Sequence, residues 1–383
     1  MKAGWQHKTI GELCVVIAGQ SPEGSSYNTD GQGVPFFQGK KEFGEKFIGE
    51  PKTWTTEPTK IAKDGDILMS VRAPVGPVNF STGELCIGRG LAAIRSDLKL
   101  DRDFLFYQLQ YLQPKIAGKE GAVFASINKS EIEALPISVS TLSEQRRIVS
   151  ILDEAFEGIT TAKANAEKNL QNARALFESH VQAVFSRQGA GYSLKTFSDV
   201  CEISSALVDP RRKEYLDLLH VGGANIATKT GELIELKTAR EEGLISGKFV
   251  FDTTMVLYSK IRPYLMKVAR PDFRGLCSAD IYPLSVKSGQ LNRDYLFHLL
   301  LSPGFTDYAN AGSARAGMPK VNRDHLFAYR VSLPSVSTQK QLAAELDALH
   351  QETQKLESIY QRKLAALDEL KQSLLHQAFS GAL

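Results

Sequence analysis

The chain is written twice, and that duplication constrains its fold more than any single motif. Trp5-Gln6-His7-Lys8-Thr9-Ile10-Gly11-Glu12-Leu13-Cys14 reappears 187 residues later as Tyr192-Ser193-Leu194-Lys195-Thr196-Phe197-Ser198-Asp199-Val200-Cys201. Cys86 to Asp97 aligns with Cys277 to Ser288 at an offset of 191. At the same offset Leu100 to Leu109 matches Leu291 to Leu300, with six of ten positions identical and Tyr107 facing His298. Asn128, Gln145, Leu152-Asp153 and Phe185-Ser186 map onto Asn322, Gln339, Leu346-Asp347 and Phe379-Ser380 at 194. The blocks keep their order while the offset drifts by seven residues. Two similar domains are therefore expected.

Each half has two parts. Residues 1–140 and 189–336 are rich in Gly, Pro, β-branched and aromatic residues, with short strand-like runs such as Asp66-Ile67-Leu68-Met69-Ser70-Val71 and Thr254-Met255-Val256-Leu257-Tyr258-Ser259. Helical spacing appears from Arg102 to Leu112 and from Arg293 to Leu301. These parts read as α+β globular domains. Residues 141–188 and 337–383 are different: Ser143 to Ser186 holds no proline and only Gly158, and Thr338 to Ser380 holds neither residue. Seam positions, mostly apolar, alternate three and four apart: Ile148, Leu152, Ala155, Ile159, Ala162, Ala166, Asn169, Ala173, Leu176 and His180 in the first segment, and Leu342, Leu346, Leu349, Thr353, Leu356, Tyr360, Lys363, Leu367, Leu370 and Leu374 in the second. This is a coiled-coil seam, Ala-rich in one segment and Leu-rich in the other. Thr141 or Ser143, and Ser337 or Thr338, supply helix-capping chemistry. A pseudo-twofold relation between the halves would make the two helices antiparallel.

Composition narrows the function classes. Lys+Arg 46 against Asp+Glu 43 leaves a net charge of +3, so nucleic-acid binding would have to come from local basic patches. No apolar run reaches the roughly 20 residues that cross a bilayer, and the start lacks a secretory apolar region. A cytoplasmic location without membrane partners is the expectation. Cys14, Cys86, Cys201 and Cys277 are far apart and fall on the repeat, which reads as small buried core positions rather than zinc or disulfide chemistry.

Catalytic signatures are weak. Gly33 to Lys41 departs from a P-loop, because its glycines are one residue too far apart and Lys41 stands where Ser or Thr should bind magnesium. Asp217 followed by Glu235-Leu236-Lys237 has the acid, acid-x-Lys order with which nucleases hold magnesium, and it supports one alternative, a stand-alone magnesium-dependent nuclease. The triplet is short and more easily read as a solvated strand. A second alternative is a coiled-coil scaffold that binds no DNA. By contrast, both globular parts mix basic and amide side chains with aromatics and glycine. The first offers Gln38, Lys40, Lys41, Phe43, Arg72 and Arg89; the second Arg211, Arg212, Lys213, Lys260, Arg262, Tyr264, Arg315 and Lys320. Arg can read guanine bidentately, Gln can read adenine, and Lys can hold phosphates, which makes these the candidate DNA contacts.

Certain runs carry a family likeness. They are Gly19-Gln20-Ser21-Pro22 with Gly33-Val34-Pro35-Phe36-Phe37-Gln38-Gly39, Tyr258-Ser259-Lys260-Ile261-Arg262-Pro263-Tyr264, Cys277-Ser278-Ala279-Asp280-Ile281-Tyr282-Pro283 and Leu142-Ser143-Glu144-Gln145-Arg146-Arg147-Ile148-Val149-Ser150-Ile151-Leu152-Asp153. With the duplication, they resemble the specificity subunit of type I restriction–modification systems over essentially the whole chain. The resemblance implies two target recognition domains, each reading half of a split double-stranded DNA sequence, and helical spacers that set the gap. It also implies two modification subunits docked on the helices, carrying S-adenosylmethionine and flipping adenines for methylation. Restriction subunits would add ATP- and Mg-dependent translocation and cleavage. This chain itself would be non-catalytic and hold no cofactor. Phe156, Phe177, Tyr360 and Leu375 are the helix positions expected to face such partners.

Overall fold

A computed structural model describes residues 4–119, 122–123, 126–203, 205–313 and 319–383, with 117–119 and 122–123 given by backbone alone. The chain forms two compact units, Met1–Ala166 with Arg362–Leu383 and Glu167–Gln361.

In the first unit, a four-stranded antiparallel sheet runs in the order Cys14–Ala18, Leu91–Ser96, Ile67–Ser70, Val78–Phe80. Beside it, a five-stranded sheet includes Val34–Phe37 lying parallel to Leu85–Ile87, with Phe36 opposite Cys86. A ribbon of Gln6–Thr9 against Pro136–Val139 closes the domain. The second unit repeats the plan. Its four-stranded sheet is ordered Cys201–Glu202, Ile281–Val286, Met255–Ser259, Val268–Ala269. Leu219–Val221 lies parallel to Gly275–Ser278, with Val221 opposite Cys277, and Ser193–Thr196 pairs with Arg330–Leu333. The expected strands and both short helices, here Arg102–Ala117 and Arg293–Leu300, are present.

Local chemistry repeats with the topology. The Thr9 N–H donates to Glu12 at 2.6 Å and the Thr196 N–H to Asp199 at 2.8 Å, each opening a short helix. Asn128 and Asn322 each cap another, accepting the N–H of Glu131 and of His325. Cys86, Cys201 and Cys277 are buried and Cys14 half-buried, all as free thiols. Burial pushes Cys14 and Cys201 up to about 12, so they are packing groups rather than nucleophiles.

The long helices run Leu142–Phe185 and Val336–Ser380, each about 65 Å at 1.5 Å per residue. Their caps differ from expectation in the second case, because the helix starts earlier: Ser335 Oγ, not Ser337, accepts the Thr338 N–H at 3.2 Å. Within the first unit the helix segments are antiparallel, since Arg147 donates to the Leu383 carbonyl at 3.1 Å while Lys163 pairs with Asp368 at 2.5 Å. Within the second unit Arg174 pairs with Glu357 at 2.9 Å and Phe177 lies 5.0 Å from His350, again antiparallel.

Each helix end is also part of a globular core. Ile148, Leu152 and Phe156 join Leu375, Ala378 and Phe379 around Phe104 and Phe106 in the first unit. Val181 and Val184 join Leu342, Ala343 and Leu346 around Tyr295 in the second. A helix end packed against both a partner helix and a domain buries a wider stripe than a coiled-coil seam, and its middle buries less. Ala166 and Ala173 stay buried as expected, whereas Leu176 is 64% exposed, and Leu356 and Leu370 are exposed too.

Two repeated polar devices fix the domains to the helices. The fully buried Gln145 accepts the Asp101 N–H at 2.7 Å and donates to the Lys99 and Ser140 carbonyls. Gln339 accepts the Asn292 N–H at 2.8 Å and donates to the Gln290 and Pro334 carbonyls. The second device is a carboxylate about two turns further on. Asp153 receives the Tyr107 hydroxyl and Lys46, which also pairs with Asp103. Asp347 receives His298 and Arg270, which also pairs with Asp294.

Candidate nucleic-acid interface

In the first unit four segments are braided by backbone bonds. Gly19 N–H donates to Leu91 O and Gln20 N–H to Ile87 O, both at 2.9 Å. Gly88 N–H donates to Phe37 O at 2.8 Å, Gly90 N–H to Gln38 O at 3.1 Å, and Val71 N–H to Gly90 O at 3.0 Å. The approach demands glycine: a Cβ on Gly19 would lie 2.2 Å from the Gly88 carbonyl, and one on Gly90 2.4 Å from the Gln38 carbonyl. The glycine-rich motif singled out in the sequence is thus a scaffold that starts Gln38, Arg72 and Arg89 from one cluster. Ser21 Oγ donates to Gln38 Oε1 at 2.9 Å and steadies that side chain. Lys40 and Lys41 follow on the turn Lys40–Glu42. All five are exposed, and among the described residues none of the four cations has an ion-pair partner. Phe43 is half-buried against the Phe37 and Leu85 core, which makes it a packing residue rather than a DNA contact.

The second unit builds its surface on the same loop. Ser70 Oγ donates to Arg72 O at 3.2 Å and Ser259 Oγ to Ile261 O at 3.4 Å. Arg72 bridges Ser126 and Ile261 bridges Lys320. Arg262 adopts a left-handed backbone, φ 51°, held by its N–H to Pro319 O at 2.8 Å and its carbonyl to Leu265 N–H at 2.9 Å. It is exposed beside Tyr264 and Lys320, and it has no ion-pair partner among the described residues. Non-glycine residues held in this conformation cluster at functional sites.

Two candidates in this unit are not free surface cations, and a third lies outside the described residues. Lys260 is turned inward, its side chain 12% exposed, with Nζ 2.5 Å from the Ala279 carbonyl, 3.5 Å from Asp280 and 5.1 Å over the Tyr282 ring. Burial pulls its ammonium below the usual lysine range, helped by neighbouring Lys320 and Arg323. Those neighbours mark a local positive field, and Arg323, 6.0 Å over the same ring, is a member that sequence reasoning missed. Arg211 is spent on Asp209, a bidentate contact at 3.0 and 2.8 Å that holds the carboxyl down at about 2. Arg212 and Lys213 remain exposed without an ion pair among the described residues. Arg315 lies outside the described residues.

The partner-facing candidates on the helices separate similarly. Leu375 is 1% and Phe156 8% exposed, because both sit where helix and domain cores merge, so neither faces outward. Phe177 and Tyr360 are half-buried, and Phe177 packs against the second unit's core. The nuclease triplet does not assemble an open acidic site: Asp217 is bound by Arg240 at 3.0 Å, Glu235 sits on a left-handed loop residue, and Lys237 pairs with His220 in a sheet. Among the described residues no group of three or more His, Cys, Asp or Glu side chains could hold a metal, and no helix is long and apolar enough to cross a membrane.

The sequence and fold have known counterparts. The family model for the type I restriction modification DNA specificity domain matches residues 2–171 and 191–363. A putative type I restriction enzyme MjaX specificity subunit of Methanocaldococcus jannaschii is 45% identical over 161 residues, 42% of this chain and 37% of that protein. The match thus spans little more than a third of that relative's length. The type I restriction enzyme EcoDI specificity subunit of Escherichia coli is 25% identical over 413 aligned residues, 99% of this chain and 88% of that protein. Two solved chains share the fold. One comes from work on complex assembly and conformational transition of the type I R-M system (TM-score 0.80, 17% identity, 100% of this chain and 99% of that one). The other is the HsdS subunit of Thermoanaerobacter tengcongensis (TM-score 0.62, 18% identity, 100% and 98%).

Proposed function

The chain belongs to the type I restriction modification DNA specificity domain family, and on that premise we propose that each of its two units reads one half of a split double-stranded DNA target. It is the specificity subunit of a type I restriction–modification system. The observation that carries the bipartite reading is the repeated loop: Arg72 pairing Ser126 and Ile261 pairing Lys320 present unpaired cations from the same place in each unit. Gln38, Arg72 and Arg89 supply base-edge chemistry in the first unit, with Lys40 and Lys41 for phosphates. Arg262, Tyr264, Lys320, Arg323, Arg212 and Lys213 do so in the second.

The chemistry itself resides in other subunits on this reading. Modification subunits bring S-adenosylmethionine and dock on the helices, and restriction subunits bring ATP- and Mg-dependent activity. The neutralised Asp217 speaks against a stand-alone nuclease. The two helices set the spacing between half-sites.

Footprinting of the assembled methyltransferase tests the assignment. Arg72→Ala should weaken protection of one half-site and Arg262→Ala that of the other. Equal loss of both half-sites with either substitution would contradict it.

A further inference from the structure

The two units carry equivalent cavities where a long helix meets the domain, and the second is the larger. In the first unit a cavity of about 290 Å³ is lined by Tyr107, Asp153, Phe156 and Lys371. The chain lines it with its own ammonium: Lys371 Nζ sits 4.9 Å over the Phe156 ring, a cation–π arrangement. The repeat offset of 194 places Phe177 where the first unit has Lys371, and His350 where it has Phe156. The lysine is thus gone, and the second unit's cavity is about 490 Å³, within the range of small-molecule sites.

Its walls are Phe177, Val181, Met266 and Leu301, with His350 5.0 Å from the Phe177 ring. Burial, followed by His298 close by, pulls His350 below the usual histidine range, so near neutral pH its ring opposes no incoming cation. Two rim pairs are closed on themselves, Arg174 with Glu357 at 2.9 Å and Lys229 with Glu178 at 3.0 Å. Asp307, also on the rim, is exposed and has no ion-pair partner among the described residues. The rim is strained as well. Lys229 and Met266 both have left-handed backbones, φ 67° and 49°, and the Lys229 N–H donates to Met266 O at 3.3 Å. Strain of this kind collects at ligand clamps.

We infer that this cavity binds an organic cation, an alkylammonium or guanidinium on an apolar stem, with Phe177 and His350 as its aromatic walls and Asp307 as its counter-charge. The stem packs against the Val181, Met266 and Leu301 walls. Such a cation can be a free amine or a Lys or Arg side chain of a bound protein, and the two differ in what surrounds the stem. The inference is independent of DNA recognition and is tested without DNA.

Calorimetric titration of the full chain with n-butylammonium, agmatine, the capped amino acid N-acetyl-lysine methylamide and neutral 1-butanol tests it. One saturable equivalent is expected for the cations and none for butanol. Asp307→Asn, at an exposed position, should leave the melting temperature unchanged and weaken binding roughly tenfold. Lys371→Ala should open the first unit's cavity and add a second equivalent. Tighter binding of capped lysine than of the simple amines assigns the site to a protein side chain, and the reverse order assigns it to a free amine. No saturable cation binding, or binding indifferent to Asp307→Asn, overturns the inference.

Discussion

His298 Nε2 lies 2.8 Å from Asp347 Oδ1, at the place where the first unit sets the Tyr107 hydroxyl on Asp153. One carboxylate on each long helix is gripped by a ring on the short helix and by a cation, Arg270 in one unit and Lys46 in the other. The cations come from different stretches of chain, so the grip recurs although its parts do not align. Burial works to raise Asp347, and the His298 bond together with Arg270 overrides it, holding the carboxyl well below the usual range.

The sign of the pH dependence follows. A carboxyl with a depressed folded value stabilises the protein above its ordinary value of 3.8 and loses that contribution as pH falls through the folded value. Urea midpoints followed on the second unit should fall with acidification below about pH 4. Asp347→Asn should cost about 1–3 kcal/mol at neutral pH and flatten that acid limb. An unchanged limb in the variant would show that Asp347 is not the titrating group.

Gln145 and Gln339 yield a stability prediction. Gln145→Ala orphans the Asp101 N–H and the Lys99 and Ser140 carbonyls together. Each buried orphan costs about 1–3 kcal/mol, so a loss of several kcal/mol is expected on thermal or urea unfolding. Gln339→Ala should match it in the second unit, and a loss below about 1 kcal/mol in both would show that the helices are held by apolar packing alone.

Lys260 and Arg262 should separate structure from recognition. Lys260→Ala removes a bond to Ala279 O and a ring contact, so it should lower the melting temperature. Arg262→Ala should leave melting unchanged and cost about 1–3 kcal/mol of specific affinity, if the guanidinium reads a base. Fluorescence anisotropy on matched and mutated half-sites, with a melting curve for each variant, distinguishes the two outcomes.

Lys40 and Lys41 are suited to phosphates rather than bases. Replacing both with Ala should weaken binding to all sequences alike and reduce the slope of log affinity against log salt by about 2. A change confined to one target sequence would instead make them base readers.

The duplication and the long helices were legible because each is a pattern along the chain. Gln145 with Gln339 and Asp153 with Asp347 were visible too, as polar residues kept in both copies, and Tyr107 opposite His298 pointed at the grip without identifying it. What the sequence hid depends on neighbours in space. Nothing in Arg211-Arg212-Lys213 shows that Asp209 takes up the first guanidinium, and Lys260 reads like any exposed lysine until Ala279 and Tyr282 are brought to it. Leu375 and Phe156 looked outward on a two-helix wheel and proved buried, because the domain adds a third packing surface.

The Arg147 bond to the Leu383 carbonyl, with Trp5 and Leu383 against the same core, has a topological consequence. The first unit is built from two stretches of chain separated by the whole of the second unit, so during synthesis its core stays unfinished until the stretch from Arg362 onward has been made.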